Sequence, residues 1–110
     1  MKEFEMKYEF IGWCQEGTSD KIWTVIQLRS NVNDAKSYSD TLDLYAVVWG
    51  RRGRTLQSKV QEYTYPDILS LIRSKTKKGY EEVSAEKLDS VYPEFEEDLQ
   101  KTAVWAMLKA

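Results

Sequence analysis

Phe4, Met6, Tyr8 and Phe10 alternate with Glu5, Lys7 and Glu9, a period of two that only a strand with one face on a core and one in water accommodates. The same logic runs through the first half of the chain. Gln15 to Asp20 is a turn by composition, and Ile22 to Leu28 is rich in β-branched and aromatic residues, as expected of a hairpin partner. The polar stretch Ser30 to Thr41 reads as an exposed connection. Leu42 to Arg51 and Leu56 to Tyr63, joined at Arg52-Gly53-Arg54, give a third and a fourth strand.

The period then changes. Thr64 with Pro66 and Asp67 is a helix start: a hydroxyl cap, a proline in the first turn and an acid three residues on. Ile68, Leu69, Leu71, Ile72 and then Lys75 follow the 3.6-residue repeat, and Gly79 supplies a stop. Tyr80 to Val83 reads as a short fifth strand and Ser84 to Ser90 as a short helix. From Pro93 a last helix is expected, with Phe95, Leu99, Ala103 and Ala106 on one stripe. The fold class that follows is α+β: a mainly antiparallel sheet of four to five strands, one helix packed across it, and a C-terminal helix.

With 110 residues and 42% hydrophobic content there is room for one core and no second domain. Cys14 is the only cysteine and the chain has no histidine, so neither a disulfide nor a common zinc or haem site is expected, and no cofactor. The absence of histidine, of a nucleophile elbow and of a phosphate loop argues against an enzyme. Charged residues among the first five rule out an unbroken apolar run there, so the expected address is the cytoplasm, or the nucleus of a eukaryote, with no membrane partner.

A net charge of −2 hides a segregation. Between Trp49 and Lys78 eight cations stand against two anions, a balance of +6, whereas between Glu81 and Lys101 two cations stand against eight anions, a balance of −6. A basic middle and an acidic tail are read either as two solvated faces or as a domain that presents one face to a polyanion and turns its tail away or folds it across as a shield.

Three segments in order, Lys21-Ile22-Trp23, Trp49-Gly50-Arg51-Arg52-Gly53 and Lys75-Thr76-Lys77-Lys78-Gly79-Tyr80, resemble the landmarks of the WGR domain. That family is known from DNA-dependent poly(ADP-ribose) polymerases and from bacterial proteins such as the molybdate metabolism regulator. The resemblance covers about residues 5 to 83. It divides the chain into a WGR-like domain at 1–83 and a helical extension at 84–110 packed on the same domain. Leu56 departs from the pattern, standing where many members have a glycine. The resemblance implies an antiparallel sheet crossed by a helix, and a tryptophan and an arginine, here Trp49 and Arg51, that pack against the terminal sugar and backbone at a DNA break.

The residues themselves support the pair. Two positions apart on a strand, they point to one face about 6 to 7 Å apart; a ring beside a guanidinium suits a sugar or base with one and a phosphate with the other. Arg52 and Arg54 in the turn, Lys59 on the next strand and Lys77 at the helix end complete the candidate site. Two functions are therefore expected to compete. One is a non-catalytic nucleic-acid-binding module, DNA before RNA. The other is a protein-interaction or homodimerisation module using the sheet or the last helix, with its aliphatic stripe and Trp105.

Overall fold

The computed structural model describes residues 7–29 and 42–109. Strands β1 (Lys7–Cys14), β2 (Lys21–Arg29), β3 (Asp43–Arg51) and β4 (Gln57–Tyr63) are followed by helix α1 (Tyr65–Lys77), a two-residue strand β5 (Glu81–Glu82) and helices α2 (Ala85–Val91), α3 (Phe95–Gln100) and α4 (Trp105–Lys109). The strands form one five-stranded antiparallel sheet in the order β4-β3-β2-β1-β5. This is the α+β architecture expected. The strand start at Phe4 and Met6 and the connection Ser30 to Thr41 lie outside the described residues.

The two central strands are buried on both faces. Ile22, Trp23, Thr24, Val25 and Ile26 on β2 are all buried, as are Tyr45 to Val48 on β3. Because successive side chains point to opposite faces, these strands feed two cores. On one face Phe10, Trp23, Val25, Tyr45, Val47 and Tyr63 receive Ile68 of α1, with Leu71 and Ile72 at the margin. On the other, Ile11, Ile22, Ile26, Ala46 and Val48 receive Leu88, Tyr92, Phe95, Leu99 and Val104 from residues 84–109. The one polar side chain in the middle of β2, Thr24, is satisfied by donating to the carbonyl of Val48 at 3.0 Å.

The helix start is built as its residues dictate. Thr64 accepts from the Asp67 amide, proline occupies the first turn, and the C-terminus closes on Gly79, whose φ of +100° only glycine adopts easily. The Tyr80 amide then reaches back to the Lys75 carbonyl and the Gly79 amide to that of Thr76, which fixes where Lys75 and Tyr80 stand.

Two expectations are corrected. Tyr8 and Phe10 do not share a face: β1 carries a bulge between them, so Tyr8 packs with the tail-side core and Phe10 with the α1-side core. An extra residue in one strand reverses the parity of all that follows. The last helix is also not continuous from Pro93. The amides of Lys101 and Thr102 bond three residues back, and the Thr102 hydroxyl donates to the Leu99 carbonyl at 2.7 Å, competing with the next helical turn. The chain thus leaves α3 after Gln100 and re-enters a helix at Trp105. Val104 is buried while Ala103 and Ala106 are exposed.

Because the tail completes a core, its large side chains govern stability. Leu99 is fully buried, and Leu99→Ala should cost about 2 to 5 kcal/mol in chemical denaturation, whereas Gln100→Ala, exposed on the same helix, should stay within about 0.5 kcal/mol. Equal effects of the two changes would mean that the tail is not part of the fold.

Candidate nucleic-acid interface

Helix α1 crosses one face of the sheet but leaves a corner open over the ends of β2, β3 and β4. Trp23, Val47, Trp49, Lys59, Leu71 and Lys75 line the resulting groove, a concavity of about 300 Å³. Its floor is aliphatic and aromatic, with Trp49 half-buried at the margin of the α1-side core. Two cations face it. The Lys75 Nζ lies 5.4 Å from the centre of the Trp23 ring and 5.9 Å from that of Tyr80, and the Lys59 Nζ lies 6.0 Å from that of Tyr63. Such placement over a ring face attracts a cation without neutralising it.

No carboxylate balances this pair: among the described residues neither lysine forms an ion pair. Desolvation, and after it the positive charges of Lys78 and Lys59, hold the Lys75 ammonium below the ordinary lysine range. Crowded like charges beside an aromatic floor are an unfavourable arrangement that an anion relieves. Lys21 and Arg51 also stand directly opposite each other on β2 and β3, a pairing of like charges that destabilises a sheet, here with the Asp20 carboxylate near enough for the Arg51 charge to act on it.

The signature glycine has a clear local role. Gly50 has a φ of +153°, and a Cβ there would lie 3.2 Å from the Leu56 side chain and 3.3 Å from the Thr55 carbonyl oxygen. The side of the strand behind Trp49 is therefore occupied. It is filled by Leu56, buried in the tail-side core, and the positive φ of the turn falls on Gly53 at +81°. Leu56 thus works as packing where a glycine stood in the pattern.

The predicted residues separate into groups. Trp49 and Lys59 come together in the groove. Arg51 is exposed and donates to the Thr18 carbonyl at 2.8 Å, outside the groove lining. Arg54 is exposed in the turn. Arg52 is tied to its own chain: it pairs with Asp20 at 2.7 Å, donates to the Val91 carbonyl and lies 5.7 Å from the Trp13 ring centre. Trp13 also donates to Asp20, at 2.9 Å. This cluster joins the hairpin turn to the end of α2, so Arg52 serves as a clamp. Lys77 lies on the outer face of α1 with Ser70, Arg73, Ser74 and Lys78.

Lys75, Trp23 and Tyr80 were absent from the sequence-derived site, although one signal marked the lysine. Ile68, Leu71, Ile72 and Lys75 fall on one helical stripe, so a charge occupies the position where the core-facing stripe would continue. No helix is long and apolar enough to cross a membrane, and no group of His, Cys, Asp or Glu fit to hold a metal occurs, both among the described residues.

Arg52→Ala should lower stability by about 1 to 2 kcal/mol, since the Val91 carbonyl and Asp20 lose a charged donor, while Arg51→Ala should cost less than half as much. Asp20 is held below the ordinary carboxylate range, first by the Trp13 hydrogen bond and then by Arg52. A depressed carboxyl stabilises the fold above its unfolded-state pKa and loses that contribution as pH falls through its folded one. The melting-temperature gap between the native chain and Asp20→Asn should thus be present at neutral pH and close in acid; a gap that is constant with pH would remove Asp20 from the clamp.

Compared with known proteins, the chain matches no family model, no curated protein and no solved structure.

Proposed function

We propose that this domain is a non-catalytic nucleic-acid-binding module and that its contact is the groove between α1 and the sheet. The observation that carries the reading is the convergence of Lys59 and Lys75, both without a carboxylate partner among the described residues, on a floor that includes Trp49. A ring at the margin of a recess meets a sugar or base that is free of the stack, and flanking ammonium groups meet its phosphates. The resemblance to the WGR domain, carried by the three motifs described above, supports Trp49 as a contact and favours DNA strand ends or backbone as the target, although Arg51, the other residue it implies, stands outside the groove lining. In this reading Arg51 and Arg54 supply charge at the rim, Arg51 keeping further donors beyond the one given to Thr18.

The acidic residues of α2 and α3 do not shield the groove. Their helices cover the opposite face of the sheet, which leaves the basic side open and orients the molecule in the field of a polyanion. The protein-interaction alternative draws less support. The apolar side chains of α3 and α4 are spent largely on the chain's own core, and among the described residues the exposed large hydrophobics are Leu42 and Met107, too few for a contiguous patch.

The test is fluorescence anisotropy with a nicked, 5′-phosphorylated duplex and an intact one at two salt concentrations. Trp49→Ala should weaken binding by about 1 to 3 kcal/mol. Lys59→Gln and Lys75→Gln should each lower the slope of log K against log salt by about one unit. Folded Lys75→Gln protein that binds as the native chain does would contradict the reading.

A further inference from the structure

A second basic surface lies on the same helix and is not explained by the groove. Ser70, Arg73, Ser74, Lys77 and Lys78 line a concavity of about 450 Å³ on the outer side of α1. Arg73 and Lys77 are one turn apart, and the helical rise places them about 6 Å apart along the axis. Like charges four residues apart weaken a helix, and no residue three or four positions before or after either of them within α1 is acidic. The favourable effect of cations near a helix C-terminus accounts for Lys75 and Lys77 in the last turn but falls off within that turn, leaving Arg73 unexplained. Serine hydroxyls alternating with cations on one stripe are the donor set that phosphodiester oxygens accept from.

The stripe and the groove meet at the C-terminal end of α1, where Lys75 and Lys77 occupy the last turn and Lys78 caps it. Lys78 lines the outer concavity and its charge acts on Lys75, which lines the groove. Lys59, Lys75, Lys78, Lys77 and Arg73 thus follow one another from the aromatic floor round the end of α1 to its outer face, with the Glu16 carboxylate beside that path, its oxygens 2.8 and 3.1 Å from where a Cβ on Gly79 would stand.

We propose that this track binds a single nucleic-acid strand, one nucleotide seated in the groove and the following phosphates carried over the end of α1 to Lys77 and Arg73. The inference rests on the nucleic-acid reading of the groove and adds the outer stripe and the strandedness of the ligand. A recessed floor favours a single strand, because the bases and sugars of an intact duplex are held in the stack while those of a free strand enter a concave site and stack on an aromatic side chain. The spacing of Arg73 and Lys77 suits neighbouring phosphates on one strand.

The experiment measures anisotropy of fluorescein-labelled oligothymidylates of three and twelve nucleotides, and of a blunt twelve-base-pair duplex, with the native chain, Arg73→Gln/Lys77→Gln and Lys75→Gln, at low and moderate salt. Arg73 and Lys77 are exposed, as are Ser70, Ser74 and Lys78 beside them, so the double variant should melt with the native chain. Binding of the twelve-nucleotide strand by the double variant should fall about tenfold, with a log–log salt slope smaller by about 1.4, the value for two lost single-strand phosphate contacts. Binding of the three-nucleotide strand should be unchanged, and the blunt duplex should bind more weakly than the long strand. Native-like affinity of the double variant for the long strand, an equal loss with the short one, or preference for the blunt duplex would each overturn the inference. In those cases a loss confined to Lys75→Gln would leave the groove reading standing, whereas a native chain that binds none of the three ligands would remove both.

Discussion

Burial of both faces of β2 and β3 is the constraint on which the rest of the molecule depends. Five successive β2 residues and four successive β3 residues are out of water, so each face of the sheet needs its own cover. Helix α1 supplies one, and residues 84–109 supply the other. A sheet covered on one side would leave Ile22, Ile26, Ala46 and Val48 against solvent, and burial of an isoleucine or valine side chain is worth about 1.5 to 3 kcal/mol. The extension is therefore part of the domain. The Arg52 clamp fastens it to the same turn that follows the Trp-Gly-Arg signature.

Placing the two covers on opposite faces also separates the charge. The basic α1 stands on one side of the sheet and the acidic α2 and α3 on the other, so opposite charges do not neutralise each other locally. Lys75 stays crowded by Lys78 and Lys59, while on the tail side the carboxylates find internal uses. Tyr92, for one, is buried and donates to Asp98, and burial followed by that bond raises its phenol well above the ordinary range. The polarity of the molecule follows from topology, and the groove exists because α1 crosses only part of a wide sheet.

Much of the fold was legible because local signals and burial agree. The strands announced themselves by β-branched and aromatic runs, and α1 by Thr64, Pro66 and Gly79. The bulge did not, because the alternation from Tyr8 to Phe10 is unbroken in sequence and only the register against Ile26 and Val25 reveals the extra residue. The break after Gln100 was hidden because the apolar spacing suits a helix, whereas the amides of Lys101 and Thr102 bond three residues back and the Thr102 hydroxyl occupies the Leu99 carbonyl. The candidate groove was half legible. The Trp-Gly-Arg motif points to Trp49 and the next strand to Lys59, but the candidates read from the sequence include Lys77 at the helix end and omit Lys75, which helical phase puts on the core-facing stripe. Arg52 stood beside the signature like its neighbours; its partners Asp20 and Val91 are 32 and 39 residues away, beyond any local pattern.

The four tryptophans divide evenly between the faces: Trp23 and Trp49 belong to the α1 side, Trp13 and Trp105 to the tail side. Their indole N–H signals in a nitrogen-15 correlation spectrum therefore report which face a ligand touches. On titration with an oligonucleotide, binding in the groove predicts that the Trp49 and Trp23 signals shift together with rising occupancy while those of Trp13 and Trp105 stay in place. Shifts confined to Trp13 or Trp105, or a bound oligonucleotide that leaves Trp49 unmoved, would contradict the assignment of the groove as the nucleic-acid interface.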